Sequence, residues 1–195
     1  MKERLRVLYQ NGQNGISPSV SASGLLNAVA KSWITIDEAV EIIGFDKSAE
    51  VIRAAKIAEI SAACNAAIVS GIDLELDGGP VHFNLSVEDQ SNIAYLSRLV
   101  ELGGTEFPYQ ADGGVCRIYT AQEITQIYVA AQTAISTQTT YHNALKAYVQ
   151  SLDDVERIAA VRYGMELPEP YAAEVVEKLA VVKTQMDTIA ARLNG

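Results

Sequence analysis

The best case for chemistry in this chain is a short acidic run. Asp73, Glu75, Asp77 and Gly78 stand in the order of the first half of a calcium loop, with acids at positions one, three and five and glycine at six. The second half fails, because position twelve is Asn84 where a bidentate Glu is required, and Pro80 interrupts the run. His82 and His142 are the two histidines. Either could act as a general base, but neither has Ser, Cys or Asp at a recognised nucleophile spacing. Cys116 beside Arg117 could be an activated thiolate, yet its strand-like surroundings predict a buried, inert thiol. Cys64 and Cys116 lie far apart with no CxxC and no clustered His, the pattern of two reduced thiols. The glycine pairs at 78–79, 103–104 and 113–114 read as turns, since none follows a phosphate-loop pattern. No catalytic residue, metal site or cofactor is expected.

A hairpin must position the acids, and its acidic face of Asp73, Glu75 and Asp77 is the expected subunit contact. Ile72, Leu74 and Leu76 alternate with Asp73, Glu75 and Asp77, the period of a half-buried strand. Gly78-Gly79 turns the chain, and Val81, Phe83 and Leu85 follow opposite His82 and Asn84. Ser86 then caps a helix running to Leu102, striped by Ile93, Leu96, Leu99 and Val100. Short strands at Phe107–Tyr109 and Val115–Tyr119 flank an Asp112-Gly113-Gly114 turn. They could add to the first hairpin as a small sheet, with the pairing left open.

Helices surround this sheet. Lys2–Gln10 is followed by helical spacing at Leu25, Leu26, Val29, Ala30 and Trp33, then by a capping box at Thr35–Glu38 closed by Gly44. Residues 1–45 therefore form a small helical docking module, with Trp33 and Phe45 as core anchors and Leu26, Val29 and Trp33 as the face offered to a partner. A helix from Asp46 to about Ser70 precedes the hairpin. A further capping box at Thr120–Glu123 opens the longest helix, to about Leu152, with Ile124, Tyr128, Ala131, Ile135, Gln138, His142, Leu145, Val149 and Leu152 on a heptad seam. At its polar middle, Gln138 and His142, the seam either packs on the hairpin or carries a register-fixing polar layer; packing on the hairpin is favoured. A short helix from Asp153-Asp154 ends at Gly164. After the stiff Leu167-Pro168-Glu169-Pro170 linker, the last helix carries Val175, Leu179, Val182, Met186, Ile189 and Leu193 at four–three spacing. That stripe must pack on an earlier helix or on copies of itself, and a homo-oligomer is expected. The fold class is α+β, predominantly α, divided into 1–45, a helix–hairpin–helix domain at 46–164, and the linker and coiled-coil-like helix at 165–195.

Charge narrows the partners. The net charge is −9, and between Ile57 and Leu145 ten acids face two basic residues, Arg98 and Arg117. Such a surface cannot neutralise phosphates, so neither nucleic acid nor an anionic membrane is expected to bind. No apolar leader follows the opening KERLR and no segment approaches a membrane span, which predicts a chain made and folded in a cytoplasm.

The phrases HFNLSVEDQSN (His82–Asn92), PYQADGGVCRIYTAQEI (Pro108–Ile124), TTYHNALKAYV (Thr139–Val149) and YGMELPEPY (Tyr163–Tyr171) resemble an uncharacterised domain, here about 57–171, of proteins encoded among phage and prophage tail genes. LYQNG (Leu8–Gly12) and AKSWITIDEAVEIIG (Ala30–Gly44) more loosely resemble the short XkdX-type phage tail proteins. The resemblance implies no catalytic position. It implies a structural part of a tail, at the baseplate or distal end, made in the host cytoplasm and contacting other tail proteins, receptor-binding proteins among them. A tail-assembly chaperone absent from the finished particle is the alternative, and a small enzyme using His142 or Cys116 is the remote one.

Overall fold

The computed structural model describes residues 1–194, and all side chains in that range but those of Lys47 and Asn194. In chain order the elements are α1 (Lys2–Gln13), α2 (Ala22–Ala30), α3 (Ile36–Ile43), α4 (Phe45–Val69), β1 (Ile72–Leu76), β2 (Gly79–Phe83), α5 (Val87–Glu101), β3 (Glu106–Tyr109), β4 (Arg117–Thr120), α6 (Ala121–Ser151), α7 (Val155–Ala160) and α8 (Tyr171–Asn194). This is the expected mainly helical α+β fold.

Local chemistry starts the helices. Thr35 and Glu38 close a reciprocal capping box on α3, and Ser86 and Asp89 close one on α5. On α6, the Thr120 amide donates to Glu123 Oε2 at 2.9 Å and the Glu123 amide donates to Thr120 Oγ1 at 3.2 Å. In each case two backbone N–H groups that the helix itself leaves unpaired are satisfied by side chains three residues apart. Asp154 caps α7 by accepting from the Arg157 amide at 2.8 Å.

The chain forms two compact units, one from residues 1–63 and 142–171, the other from 64–141 and the chain from Ala172 on. In the first, α1–α3 bury their own small core of Leu5, Tyr9, Leu25, Ala28, Ile34, Ala39 and Ile42. Along α4 and α6 the same unit buries Ile52, Ile60, Leu145 and Val149 completely. Arg53 Nη2 donates to the Leu152 carbonyl at 2.7 Å, tying α4 to the residue that follows α6.

The second unit is built on the hairpins. β1 and β2 pair antiparallel with Asp73 opposite His82 and Leu76 opposite Gly79, so the turn is Asp77-Gly78. β3 and β4 form a separate antiparallel pair rather than an extension of the first. The two are joined instead through a loop: the Asp112 amide donates to the His82 carbonyl at 2.9 Å, and the Asn84 amide donates to Asp112 Oδ2 at 2.5 Å. Beneath them Leu76, Phe83, Leu85, Ile93, Val100, Phe107, Tyr119, Ile124 and Ile127 make one core. Phe83 stacks on Tyr109 at 6.0 Å and meets Tyr119 edge-on at 6.1 Å.

Several expectations change. The hairpin packs on the apolar first half of α6, around Ile124, Ile127 and Ala131, and not on its polar middle. That middle meets α4: Cys64 Sγ lies 3.6 Å from the Gln138 carbonyl, and Ser61 Oγ lies 3.0 Å from His142 Nε2. Polar groups on one helix are satisfied by polar groups on the other, which the aliphatic face of the hairpin could not do. Trp33 and Phe45 are not core anchors, being 53% and 78% exposed. Trp33 falls in the turn after α2, next to Ser32 at φ 57°, and the small core closes with Ile34 instead. Among the described residues, no helix is long and apolar enough to cross a membrane.

Candidate functional site

The acids of β1 do not converge. Asp73 and Glu75 project from one exposed strand face, where residues two apart are separated by roughly 7 Å, and Asp77 sits in the turn. Among the described residues, no group of three or more His, Cys, Asp or Glu side chains could hold a metal ion. What the register builds is a cross-strand pair, with His82 Nδ1 2.8 Å from Asp73 Oδ1 and His82 Nε2 3.3 Å from Asn84 Oδ1. Both ring nitrogens thus face an acceptor, which favours the doubly protonated ring. The Asp73 bond raises the His82 pKa above its ordinary value; partial burial opposes this, and Asn84 and the nearby Asp112 charge add to it.

The two thiols differ in setting. Cys116 is exposed in the loop before β4, a correction to the buried strand thiol, because β4 begins only at Arg117. Arg117 turns away to Glu123, with Nη2 at 2.7 Å from Oε1, and its guanidinium lies 3.7 Å from the Tyr119 ring centre. Cys64 is buried. His142, alone in sequence, gains Ser61 in space. Ser61 has one hydroxyl proton, which it gives to the Ile57 carbonyl at 2.7 Å, so it accepts from the His142 Nε2–H. A base that must draw a proton from a serine has to accept there. In that tautomer the bond anchors the imidazole.

The predicted contact stripe of α8 is only half covered. Val175, Leu179, Val182, Met186, Ile189 and Leu193 are all of intermediate exposure. Leu193 packs on the hairpin core, and Arg192 Nη2 bonds Glu101 at the end of α5. Farther up, Leu179, Val182 and Met186 line a mostly apolar groove of about 410 Å³ together with Val129, Thr133 and Thr137 of α6. Val176 and Val181 are exposed beside it, at 71% and 58%.

In the first unit the three predicted contact residues part company. Leu26 is buried, Val29 is half-buried, and Trp33 is exposed with Lys31 Nζ 5.0 Å over its ring. Beside Leu26 and Val29 is a group that sequence reading missed: Lys56, 1% exposed, donating to Glu59 Oε2 at 2.8 Å, with Arg162 close by. Burial drives the Lys56 pKa below its ordinary value; the Glu59 bond works against this, and the Arg162 charge adds to it. The available signal is position. Lys56 stands four residues after Ile52 and four before Ile60, on the line of α4 that is fully buried.

Residues 51–163 match the model of a family described as a domain of unknown function, DUF4376, which is more than half of the chain. The chain belongs to this family. The DUF4376 segment spans most of α4, both hairpins, α5, α6 and α7. It contains Asp73, His82, Ser61, His142, Lys56 and Arg162, whereas Leu26, Val29, Trp33 and the α8 stripe lie outside it. No curated protein and no solved structure matches the chain.

Proposed function

We propose that this protein is a non-enzymatic structural component of a bacteriophage or phage-like tail, at the baseplate or distal end, bridging other tail subunits or receptor-binding proteins. The observation that carries the reading is the apolar groove between α6 and α8. A stripe of six aliphatic side chains on α8 is half exposed, three of them facing Val129, Thr133 and Thr137 across open space. Burying that face on another helix would remove several aliphatic side chains from water at about 25 cal/mol per Å². The first unit adds its own exposed indole at Trp33 beside half-buried Val29. One sticky face on each unit suits a bridging part. The tail setting is supported by the phrases around His82–Asn92 and Pro108–Ile124 that resemble tail-associated proteins.

Mass spectrometry of purified particles tests the reading. The chain is expected in the virion at a stoichiometric level, and Val182→Asp is expected to remove it from particles while the purified protein keeps its helical circular dichroism. Absence of the wild-type chain from finished particles would overturn the structural role in favour of an assembly chaperone.

A further inference from the structure

Within the first unit, α2, α4 and α7 enclose a small cavity of about 50 Å³, lined by Asn27, Lys56, Glu59 and Arg162 among others. It brings two cations together with one carboxylate. Lys56 is almost wholly buried, and among the described residues Glu59 is the one carboxylate bonded to it. Arg162 directs Nη1 to the carbonyls of Ala159 and Val161 at the end of α7 and lines the same space. An ammonium has three protons to place, and an enclosed site with surplus positive charge favours a second acceptor. A water takes roughly 10–15 Å³ of such space, so a carboxylate group fits where a ring or a nucleotide does not. The cavity shares Val29, Ala159 and Arg162 with an open groove of about 280 Å³, which continues over Ile36 and Ala160.

We propose that this cavity is a carboxylate receptor, in which Lys56 and Arg162 hold the side chain of an Asp or Glu from a partner polypeptide while its apolar neighbours lie against Val29, Ile36 and Ala160. The groove decides the source, since a free inorganic anion would make no use of an apolar surface. Glu156, which also lines the groove, repels a second carboxylate there and favours a segment with a single acid. Any acidic partner, tail protein or not, would satisfy the site.

The test uses the full chain labelled with ¹³Cε-lysine, the Lys56 resonance being assigned by its loss in Lys56→Met. The blocked tripeptide acetyl-Leu-Asp-Leu-amide is expected to shift that resonance saturably. Acetyl-Leu-Asn-Leu-amide and sodium acetate should each bind about tenfold more weakly or less, one lacking the charge and the other the apolar contacts. If Lys56→Met does not fold, Arg162→Gln serves instead: the lysine resonance that the Asp peptide shifts saturably in the wild type should need about tenfold more peptide for the same shift in this variant. Equal binding of the Asp and Asn peptides, or no saturable shift with either, would overturn the proposal. Acetate binding as tightly as the Asp peptide would overturn the polypeptide source.

Discussion

His82 and Asp73 face each other across β1 and β2, with Nδ1 of the imidazole 2.8 Å from Oδ1 of the carboxylate. The acidic run that resembles half a calcium loop thus spends its first acid on a histidine of the neighbouring strand. The same histidine's carbonyl accepts from Asp112, so this pair also sits where the two hairpins are tied.

Because the folded-state pKa of His82 is raised, its protonation favours the folded protein. The contribution is fully present below the unfolded imidazole value of about 6.5 and is lost as pH rises through the higher folded value. The stability difference between wild type and His82→Gln in urea unfolding should therefore be larger at about pH 5.5 than at about pH 8.5. A difference that does not change with pH would refute the coupling to Asp73.

Glu123 has the opposite sign. Burial pushes its carboxyl up, but donation from Arg117 and from the Thr120 amide and hydroxyl outweighs burial and holds it below the usual range. Its contribution is present above the unfolded value of about 4.3 and is lost as pH falls through the lower folded value. Glu123→Ala removes a helix cap and an ion-pair partner together and should cost about 2 kcal/mol at neutral pH. Glu123→Gln should flatten the acid side of the stability curve, as read by denaturant unfolding at a series of pH values.

Gly71 joins α4 to β1 at φ 86°, and a Cβ there would come within 2.1 Å of the Phe83 carbonyl oxygen. Gly113 has a similar φ of 70° but open space around its missing Cβ. Left-handed backbone alone costs an L-residue about 1–2 kcal/mol. Gly113→Ala should lose about that much, and Gly71→Ala clearly more, because the backbone of the β2 exit must also move. Thermal unfolding of the two variants gives the comparison directly.

Trp33 is the single tryptophan, so its fluorescence reports one site. With the indole 53% exposed, its emission should be red-shifted and readily quenched by acrylamide in the isolated protein. Lys31→Ala should alter the intensity by removing the ammonium 5.0 Å above the ring. Blue-shifted, quencher-resistant emission from the monomer would place the indole in a core.

The features legible in the sequence were those settled within a few residues. The capping pairs Thr35/Glu38, Ser86/Asp89 and Thr120/Glu123 lie three apart, and the strand alternation at Ile72–Leu76 is a property of one strand. What escaped depends on distant segments. Ser61 and His142 are 81 residues apart, and Arg53 and Leu152 are 99 apart. Nothing local says that a helix carrying serine and cysteine will lie against the polar middle of α6. The hairpins form separate sheets and meet through Asp112, which bonds both the His82 carbonyl and the Asn84 amide, a long-range link between loop and strand end. Trp33 differs for a simpler reason: the helical spacing that runs from Leu25 to Trp33 continues one turn past the end of α2 at Ala30. Lys56 gives no signal by type, since lysine is rarely buried, and its one cue is its position between Ile52 and Ile60.

The discontinuous make-up of the two units bears on the order in which the protein can fold as it leaves the ribosome. The small core of α1–α3 uses only the first 43 residues and can close early. The first unit then waits for residues 142–171, and the second needs the chain from Ala172 on. In the interval α4 and the first half of α6 are already made, with aliphatic faces awaiting segments not yet synthesised. Ribosome-bound intermediates stalled before His142 should accordingly recruit chaperones, and release should follow translation of the last helix.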